Sequence, residues 1–157
     1  MMSINKYNVE QGKYIITENN NILTTGGLAT CTGLSMTLGK YKFLAHIDAS
    51  TEIEPIIKEL MKYSPNDITN IVIWKGSGFG VSNSDYTSTL AKKILSSLDI
   101  EDISMDSIDI IDLNDKVQCN ICKQLSGTAK VLSHYYTCKY KSKIEINFVS
   151  FMDAVSI

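Results

Sequence analysis

The sequence predicts a single α/β-type domain of the α+β kind, with two helices packed on one face of a mixed, mostly antiparallel β-sheet. Two observations support this prediction. Strand-like runs alternate with two stretches of helical periodicity, and no internal repeat or linker interrupts their order. The length of 157 residues is that of one ordinary domain and is sufficient for a hydrophobic core. We therefore treat residues 1–157 as one domain.

Strand-like segments separated by tight turns make up the first third of the chain. Asn19-Asn20-Asn21 and Gly39-Lys40 are typical turn sequences. The run after Gly26-Gly27 shows little difference in polarity between alternate positions, which favours a buried central strand. The segment after Gly39-Lys40 would return as its antiparallel partner. The predicted strands are 14–18, 22–25, 29–38 and 41–47.

Two helices are predicted from apolar residues at helical spacing. The first, 52–63, follows the candidate caps Asp48-Ala49-Ser50, and the second, 86–97, follows Ser84 or Asp85. The inward-facing residues would be Ile53, Ile56, Ile57, Leu60 and Met61 in the first helix, and Tyr86, Leu90, Ile94 and Leu98 in the second.

A β-branched run, 68–74, lies between the helices, and further strands are predicted over 103–113 and within 128–152. A loop with Gly76, Gly78 and Gly80 follows the first of these. Its spacing lacks the later glycine of a dinucleotide fingerprint, and the Gly-Lys-Ser/Thr of a phosphate-binding loop is missing too. We therefore expect this loop to line a cleft, and no cofactor is predicted.

The charge and hydropathy of the chain argue against nucleic acid and membranes as its partners. The net charge of −2 and the pI near 5.6 give no electrostatic footprint for nucleic acid or an anionic membrane. No apolar run approaches the roughly 20 residues that a membrane span requires. The polar N-terminal segment has no signal-peptide core. These features predict a cytoplasmic protein whose cysteines are reduced thiols.

Three cysteines and a histidine in the C-terminal part offer one functional interpretation. Cys119-x-x-Cys122, followed by His134 and Cys138, has a spacing close to that of a small zinc-binding interaction module. Against it, the segment around His134 has a strand pattern where such modules usually carry a helix. A domain of this size also needs no metal to fold. The alternative is three partly buried thiols and a surface histidine.

Cys31 and His46 offer a second interpretation. Cys31 ends a glycine-containing turn, and His46 lies in an apolar run that returns from the turn near Gly39. Facing residues in an antiparallel ladder lie about 4.5–5.5 Å apart, so the hairpin would bring the thiol and the imidazole together. A slip of one residue in register would place the two side chains on opposite faces.

The segment around Cys31 resembles the CheD-type chemoreceptor glutamine deamidases. Thr25, Gly27, Leu28 and Cys31 match their Thr-x-Gly-Leu-x-x-Cys pattern, and Leu44-Ala45-His46-Ile47 resembles the strand that carries their histidine. Toxin deamidases such as the catalytic domain of cytotoxic necrotizing factor share the Leu-x-x-Cys and the distant histidine. The resemblance covers about residues 14–115. Ala29-Thr30 replaces the usual Gly-Ser, and the proline-containing segment after the histidine is missing, which indicates a divergent member, an effector or a toxin.

The resemblance implies a fold, a reaction and a set of site residues. The fold would be CheD-like. The reaction would convert a glutamine of a protein substrate to glutamate through a thioester, in the cytoplasm or after delivery into a host cytosol. Cys31 would be the nucleophile, His46 its acid–base partner and Thr25 the residue that orients the imidazole. The backbone amides of Thr30 and Cys31 would hold the oxyanion. With an amine in place of water the site would be a transglutaminase, and a catalytically silent relative would only bind a partner.

Overall fold

A computed structural model describes residues 3–78, 83–98, 108–113 and 155–157, together with the backbone of 117–118 and 125–126. The strands are β1 (Lys6–Asn8), β2 (Tyr14–Glu18), β3 (Ile22–Thr25), β4 (Thr32–Leu38), β5 (Tyr41–Ile47), β6 (Ile68–Lys75), β7 (Asp109–Asp112), β8 (Val117–Gln118), β9 (Leu125–Ser126) and β10 (Val155–Ser156). The helices are α1 (Glu54–Leu60) and α2 (Asp85–Ser97), with a single 3₁₀ turn at Pro65–Asp67.

The central layer is a five-stranded sheet in the order β2-β5-β4-β6-β7, antiparallel throughout except for the parallel pair β6 and β7. A second sheet has the order β1-β3-β10, in which β1 runs parallel and β10 antiparallel to β3. A separate two-stranded pair joins β8 and β9. This arrangement confirms the predicted α+β class with mostly antiparallel strands.

Two hydrophobic clusters hold the layers together. Both helices pack on one face of the five-stranded sheet, where Leu60 and Ile94 are completely buried against residues such as Phe43. The second cluster lies between the two sheets and includes Leu23 of β3 and Leu44 of β5. Burying apolar area of this kind is the main favourable term in folding. The prediction that both helices share one face is therefore confirmed.

The β4–β5 hairpin matches its predicted form, and its turn fixes the register of the central strands. Leu38 pairs with Tyr41, so Gly39 and Lys40 form a two-residue turn. Gly39 has a φ of 63°, a value that costs glycine little and that such turns require at their first central position. Counting back from the turn, Gly33 pairs with His46.

Several predicted boundaries and orientations are wrong. Strand β4 begins at Thr32 rather than at residue 29, and α1 is shorter than the predicted 52–63. Met61 and Tyr86 face solvent, with 61% and 59% of their surface exposed, whereas both were predicted to face inward. Of the predicted strand 103–113, the described part is β7. The predicted strand region 128–152 lies outside the described residues. Within the described part of the chain, no helix is long and apolar enough to cross a bilayer.

Candidate active site

The turn that carries Cys31 connects β3 to β4 and is held from one side. The amide of Ser77 donates to the carbonyl of Leu28 at 3.0 Å, and the amide of Gly78 donates to that of Ala29 at 2.9 Å. The hydroxyl of Thr87 in α2 donates to the carbonyl of Thr30 at 2.9 Å. Three successive carbonyl groups therefore point toward the loop after β6 and the first turn of α2.

This arrangement decides where two amide groups of the turn point. The C=O and N–H of a trans peptide point in opposite directions, and the described residues contain no cis peptide. The carbonyl of Ala29 faces the loop after β6 and that of Thr30 faces the first turn of α2, so the amides of Thr30 and Cys31 face away from these segments. Neither amide donates a hydrogen bond to another described residue. Within the described part of the chain, the two backbone donors predicted for the oxyanion are therefore unpaired.

Gly76 allows the loop after β6 to approach the turn closely. A Cβ atom at this position would clash with the carbonyl oxygens of Cys31, Ala29 and, at 2.7 Å, Leu28. Its own carbonyl accepts a hydrogen bond from the buried Ser84 hydroxyl at 2.7 Å, so Ser84 holds the loop instead of capping α2 with its side chain. Only glycine fits where the two segments meet.

Hydrogen-bond partners fix the tautomer of His46. Nδ1 of this buried imidazole lies 2.8 Å from the hydroxyl oxygen of Thr25. The same hydroxyl donates to the carbonyl of Val9 at 2.7 Å. A hydroxyl has one hydrogen and a carbonyl can only accept, so the hydrogen between Thr25 and His46 belongs to Nδ1. The neutral imidazole therefore carries its proton on Nδ1 and a lone pair on Nε2.

The other ring nitrogen of His46 has no partner among the residues that the structure describes. Nε2 is buried and makes no hydrogen bond within the described residues. Burial lowers the pKa of the imidazole, an effect that the negative charge of Asp48 partly offsets. Buried polar atoms are nearly always paired, and an exception of this kind is typical of a group kept for chemistry. His46 is thus a neutral base with an available lone pair.

Cys31 and His46 lie in the same layer of the molecule, between the two sheets. Cys31 belongs to the cluster with Leu23 and Leu44, and His46 follows Leu44 by two positions on β5 and contacts Thr25 of β3. The residue that directly faces His46 is Gly33, two positions beyond Cys31. Cys31 comes just before β4, and its place in the cluster with Leu44 puts it on the side of the central sheet to which His46 also belongs. Because Nε2 has no partner, the thiol and the imidazole are not hydrogen-bonded to each other.

The thiol of Cys31 is protonated in this arrangement. Burial raises its pKa above the ordinary value of 9.0, the charge of Asp48 raises it further, and a hydrogen bond with the Thr30 side chain opposes both effects. His46 does not lower this pKa in the free protein, because its Nε2 makes no hydrogen bond with the thiol. The resting pair is a neutral thiol and a neutral imidazole.

Asp48 is a charged group that changes the pKa values of both Cys31 and His46, and sequence reasoning did not place it at the site. It follows the end of β5 and accepts hydrogen bonds from Gln11 at 3.1 Å, from the amide and hydroxyl of Ser50 at 2.9 Å, and from Thr51 at 2.8 Å. Burial alone would raise the pKa of its carboxyl, but these hydrogen bonds lower it below the ordinary value. Asp48 is therefore a fixed negative charge that acts on both Cys31 and His46.

Cys119, Cys122, His134 and Cys138 lie outside the described residues. Among the residues that the structure describes, no group of three or more His, Cys, Asp or Glu side chains could hold a metal ion. Sequence reasoning also missed Val9 and Thr87, since Val9 contributes only a backbone carbonyl and a threonine in a helix has no distinguishing pattern.

Comparison with known proteins gives no family for this chain. No protein-family model matches the sequence, and a search of curated proteins finds no significant match. The function is therefore inferred from the geometry of the site itself.

Proposed function

We propose that the protein is a cysteine-dependent protein-glutamine deamidase, with Cys31 as nucleophile and His46 as acid–base partner. The observation that carries this proposal is the fixed tautomer of His46, which leaves on Nε2 a buried lone pair that no other described residue contacts by a hydrogen bond. That lone pair lies in the same layer as a buried thiol, beside a turn with two amides that are unpaired within the described part of the chain. A base, a thiol and backbone donors are the components of thiol-based acyl transfer.

The first half of the proposed reaction forms a thioester. Nε2 of His46 takes the thiol proton as the sulfur attacks the carboxamide carbon of a substrate glutamine, which forms a C–S bond. The negative charge that develops on the carboxamide oxygen is stabilised by the amides of Thr30 and Cys31. The imidazolium then gives its proton to the departing nitrogen, the C–N bond breaks, and ammonia leaves.

The second half hydrolyses the thioester. Water attacks the thioester carbonyl and passes a proton to Nε2, after which the C–S bond breaks and the thiol recovers its proton from the imidazolium. The product is glutamate in place of glutamine. The carboxylate of Asp48 favours the imidazolium, which forms in each half, because the negative charge raises the pKa of His46.

A neutral resting pair is compatible with this mechanism. Catalytic hydrogen bonds are often long or absent in a free enzyme and form when the substrate binds. Since the thiol and the imidazole are both neutral at rest, the proton moves only as the attack takes place. A substrate that excludes water from the turn would strengthen every charge interaction there.

The substrate is proposed to be the side chain of a folded protein. Cys31 is buried, but Gly26, Gly27 and Thr30 of the surrounding turn are exposed. A glutamine side chain extended from a protein surface can approach such a turn.

The proposal is tested by expressing the wild type and Cys31→Ser in cells and comparing their proteins by peptide mass spectrometry. We expect specific glutamines to become glutamate with the wild type, with release of ammonia in the corresponding lysate, and neither change with Cys31→Ser. Cys138→Ser is the matched control and is expected to retain the activity. Conversion that persists with Cys31→Ser would refute the assignment, and a wild type that modifies no glutamine would favour a catalytically silent binding protein. Cross-links that form when a primary amine is added would identify a transglutaminase.

A further inference from the structure

We infer that Thr87 is a positioning residue of the proposed reaction, and that its hydroxyl holds the Thr30–Cys31 peptide so that the Cys31 amide faces the developing oxyanion. This inference rests on the proposed function. It concerns a residue of α2 that lies far from Cys31 in the sequence and that no pattern in the sequence singles out.

The geometry around Thr87 supports this role. The residue lies in the first turn of α2 and is 2% exposed. Its hydroxyl lies 2.9 Å from the carbonyl oxygen of Thr30 and 3.1 Å from that of Ser84. The Thr30 carbonyl belongs to the same peptide group as the amide of Cys31. Fixing one end of this planar group fixes the direction of the other.

A chain of buried hydroxyl groups orients the Thr87 hydroxyl. The Thr32 oxygen lies 3.1 Å from that of Ser88 and 2.8 Å from that of Thr87. Each hydroxyl has one hydrogen to donate, so a consistent order runs from Ser88 to Thr32, from Thr32 to Thr87, and from Thr87 to the Thr30 carbonyl. All three hydroxyl residues are buried. In such surroundings the members of a hydrogen-bonded chain strengthen one another.

The orientation of the Ala29–Thr30 peptide group, which carries the Thr30 amide, does not depend on Thr87. Its carbonyl is held by the backbone amide of Gly78, which no side-chain substitution at position 87 removes. Loss of the Thr87 hydroxyl should therefore remove the fixed orientation of one oxyanion donor, the Cys31 amide. The Thr30 amide should keep its orientation.

The kinetic test uses Thr87→Val, which removes the hydroxyl and keeps the shape, and Thr87→Ser, which restores the hydroxyl. Removing an oxyanion donor costs about 10²–10³ in kcat, so we expect Thr87→Val to lower the kcat for glutamine deamidation by about tenfold or more. KM should be unchanged, and Thr87→Ser should recover most of the rate. Thr89→Val is the matched control, since the exposed Thr89 donates only to Asp85 of its own helix.

Alkylation of Cys31 separates positioning of the amide from a general disturbance of the site. Iodoacetamide reacts with the thiol by displacement at a saturated carbon and forms no oxyanion. The alkylation rate of Cys31 and its pH dependence should therefore be the same in Thr87→Val and in the wild type. If alkylation changes by the same factor as kcat, Thr87 acts on the thiol or on the fold as a whole, and the inference is wrong.

A measurement without substrate keeps this inference separate from the proposed function. The amide resonance of Cys31 in isotope-labelled protein reports the hydrogen bond of the preceding carbonyl. We expect it to shift in Thr87→Val and to return in Thr87→Ser, with no change in Thr89→Val. An unmoved resonance in Thr87→Val would overturn the inference even if the enzyme is active. A shifted resonance in a protein that deamidates nothing would refute the proposed function and leave the positioning of the peptide established.

Discussion

The chemistry of His46 depends on a single hydroxyl group, that of Thr25. This hydroxyl donates to the Val9 carbonyl and therefore accepts from Nδ1 of the imidazole. Without that acceptor, the neutral ring could carry its proton on either nitrogen, and only one of these forms has a basic Nε2. Thr25 is buried, so water does not replace the lost partner.

We predict that Thr25→Val lowers kcat by about 10²-fold, since a correctly placed acid–base group contributes about 10²–10⁴-fold. The variant also leaves the Val9 carbonyl and Nδ1 of His46 unpaired, which should lower the free energy of unfolding by about 1–3 kcal/mol for each group. Thr25→Ser keeps the hydroxyl and should therefore retain most of the kcat and most of the free energy of unfolding. Steady-state kinetics and urea denaturation measure the two effects.

The control for this prediction is Thr24→Val on the same strand. The Thr24 hydroxyl donates to the Val155 carbonyl at 3.0 Å and does not contact the imidazole. The Thr24→Val variant should lose some stability and little activity. Equal losses of kcat in the two variants would mean that Thr25 has no special role in orienting His46.

The protonation state of Cys31 gives a second prediction at this scale. The thiolate is the species that alkylating reagents attack, and burial and Asp48 raise the pKa of this thiol above 9.0. In the free protein, iodoacetamide should therefore label Cys31 more slowly at neutral pH than it labels an ordinary thiol. The rate should rise as the pH increases through and above 9.0.

Mass spectrometry of the Cys31 peptide follows this reaction without interference from the other cysteines. Asp48→Asn removes a charge that opposes the thiolate, so it should move the rise in rate to lower pH. A rate that is already high and flat between neutral pH and 9.0 would show a preformed thiolate–imidazolium pair, which contradicts the neutral resting state.

At the scale of elements, the turn between β3 and β4 owes its shape to the segment between β6 and α2. The carbonyls of Leu28 and Ala29 accept from Ser77 and Gly78, and the close approach is possible only because Gly76 has no side chain. An ion pair of 2.6 Å between Lys75 and Asp85 joins the two ends of the same segment. This pair contributes little stability, because both side chains remain partly exposed to solvent.

We predict that Gly76→Ala lowers the free energy of unfolding by more than about 3 kcal/mol. Overpacking typically costs about 1–3 kcal/mol, and here the added carbon meets backbone atoms that cannot rotate away. Gly27→Ala is the control, because Gly27 has a φ of 73° but open space around the missing side chain. It should cost only the backbone strain of about 1–2 kcal/mol. Urea denaturation of both variants measures the difference, and equal losses would contradict the close contact.

The sequence predicts the elements of this region well where turn residues mark them and less well elsewhere. The predicted strands 14–18, 22–25 and 41–47 agree with β2, β3 and β5. The predicted strand 29–38 is too long, because the loop after β6 takes the carbonyls that a ladder would have used. The first helix is shorter than predicted, and Asp48 accepts from Ser50 and Thr51 within its own turn instead of capping that helix.

The whole molecule brings the candidate site together from separate layers. Thr25 belongs to the outer sheet, His46 to the central sheet, and Cys31 to the turn between them. The predicted association of Cys31 with His46 came from counting residues back from the turn near Gly39. That count placed Cys31 opposite His46, whereas the structure pairs His46 with Gly33, two residues away. The contact of Thr25 with Val9, by contrast, depends on the parallel pairing of β1 with β3, which no local pattern encodes.

The packing between the sheets gives a prediction for the whole molecule. Leu23 is completely buried in the cluster that surrounds the site, so Leu23→Ala should lower the free energy of unfolding by about 2–5 kcal/mol. Met61→Ala is the control, because Met61 is 61% exposed and a surface change of this kind costs about 0.5 kcal/mol or less. Thermal and urea denaturation measure both, and similar values would contradict a close-packed layer between the sheets.

The central claim is that the Cys31 thiol forms a thioester with a substrate glutamine and that water then releases glutamate. The most direct measurement is to incubate the wild type and Cys31→Ser with cell lysate in heavy-oxygen water, with and without hydroxylamine. With the wild type, we predict heavy oxygen in the side chain of each new glutamate, and a glutamyl hydroxamate at the same sites when hydroxylamine is present. Cys31→Ser should give neither product. Equal labelling of the same glutamines by the wild type and by Cys31→Ser would contradict the account.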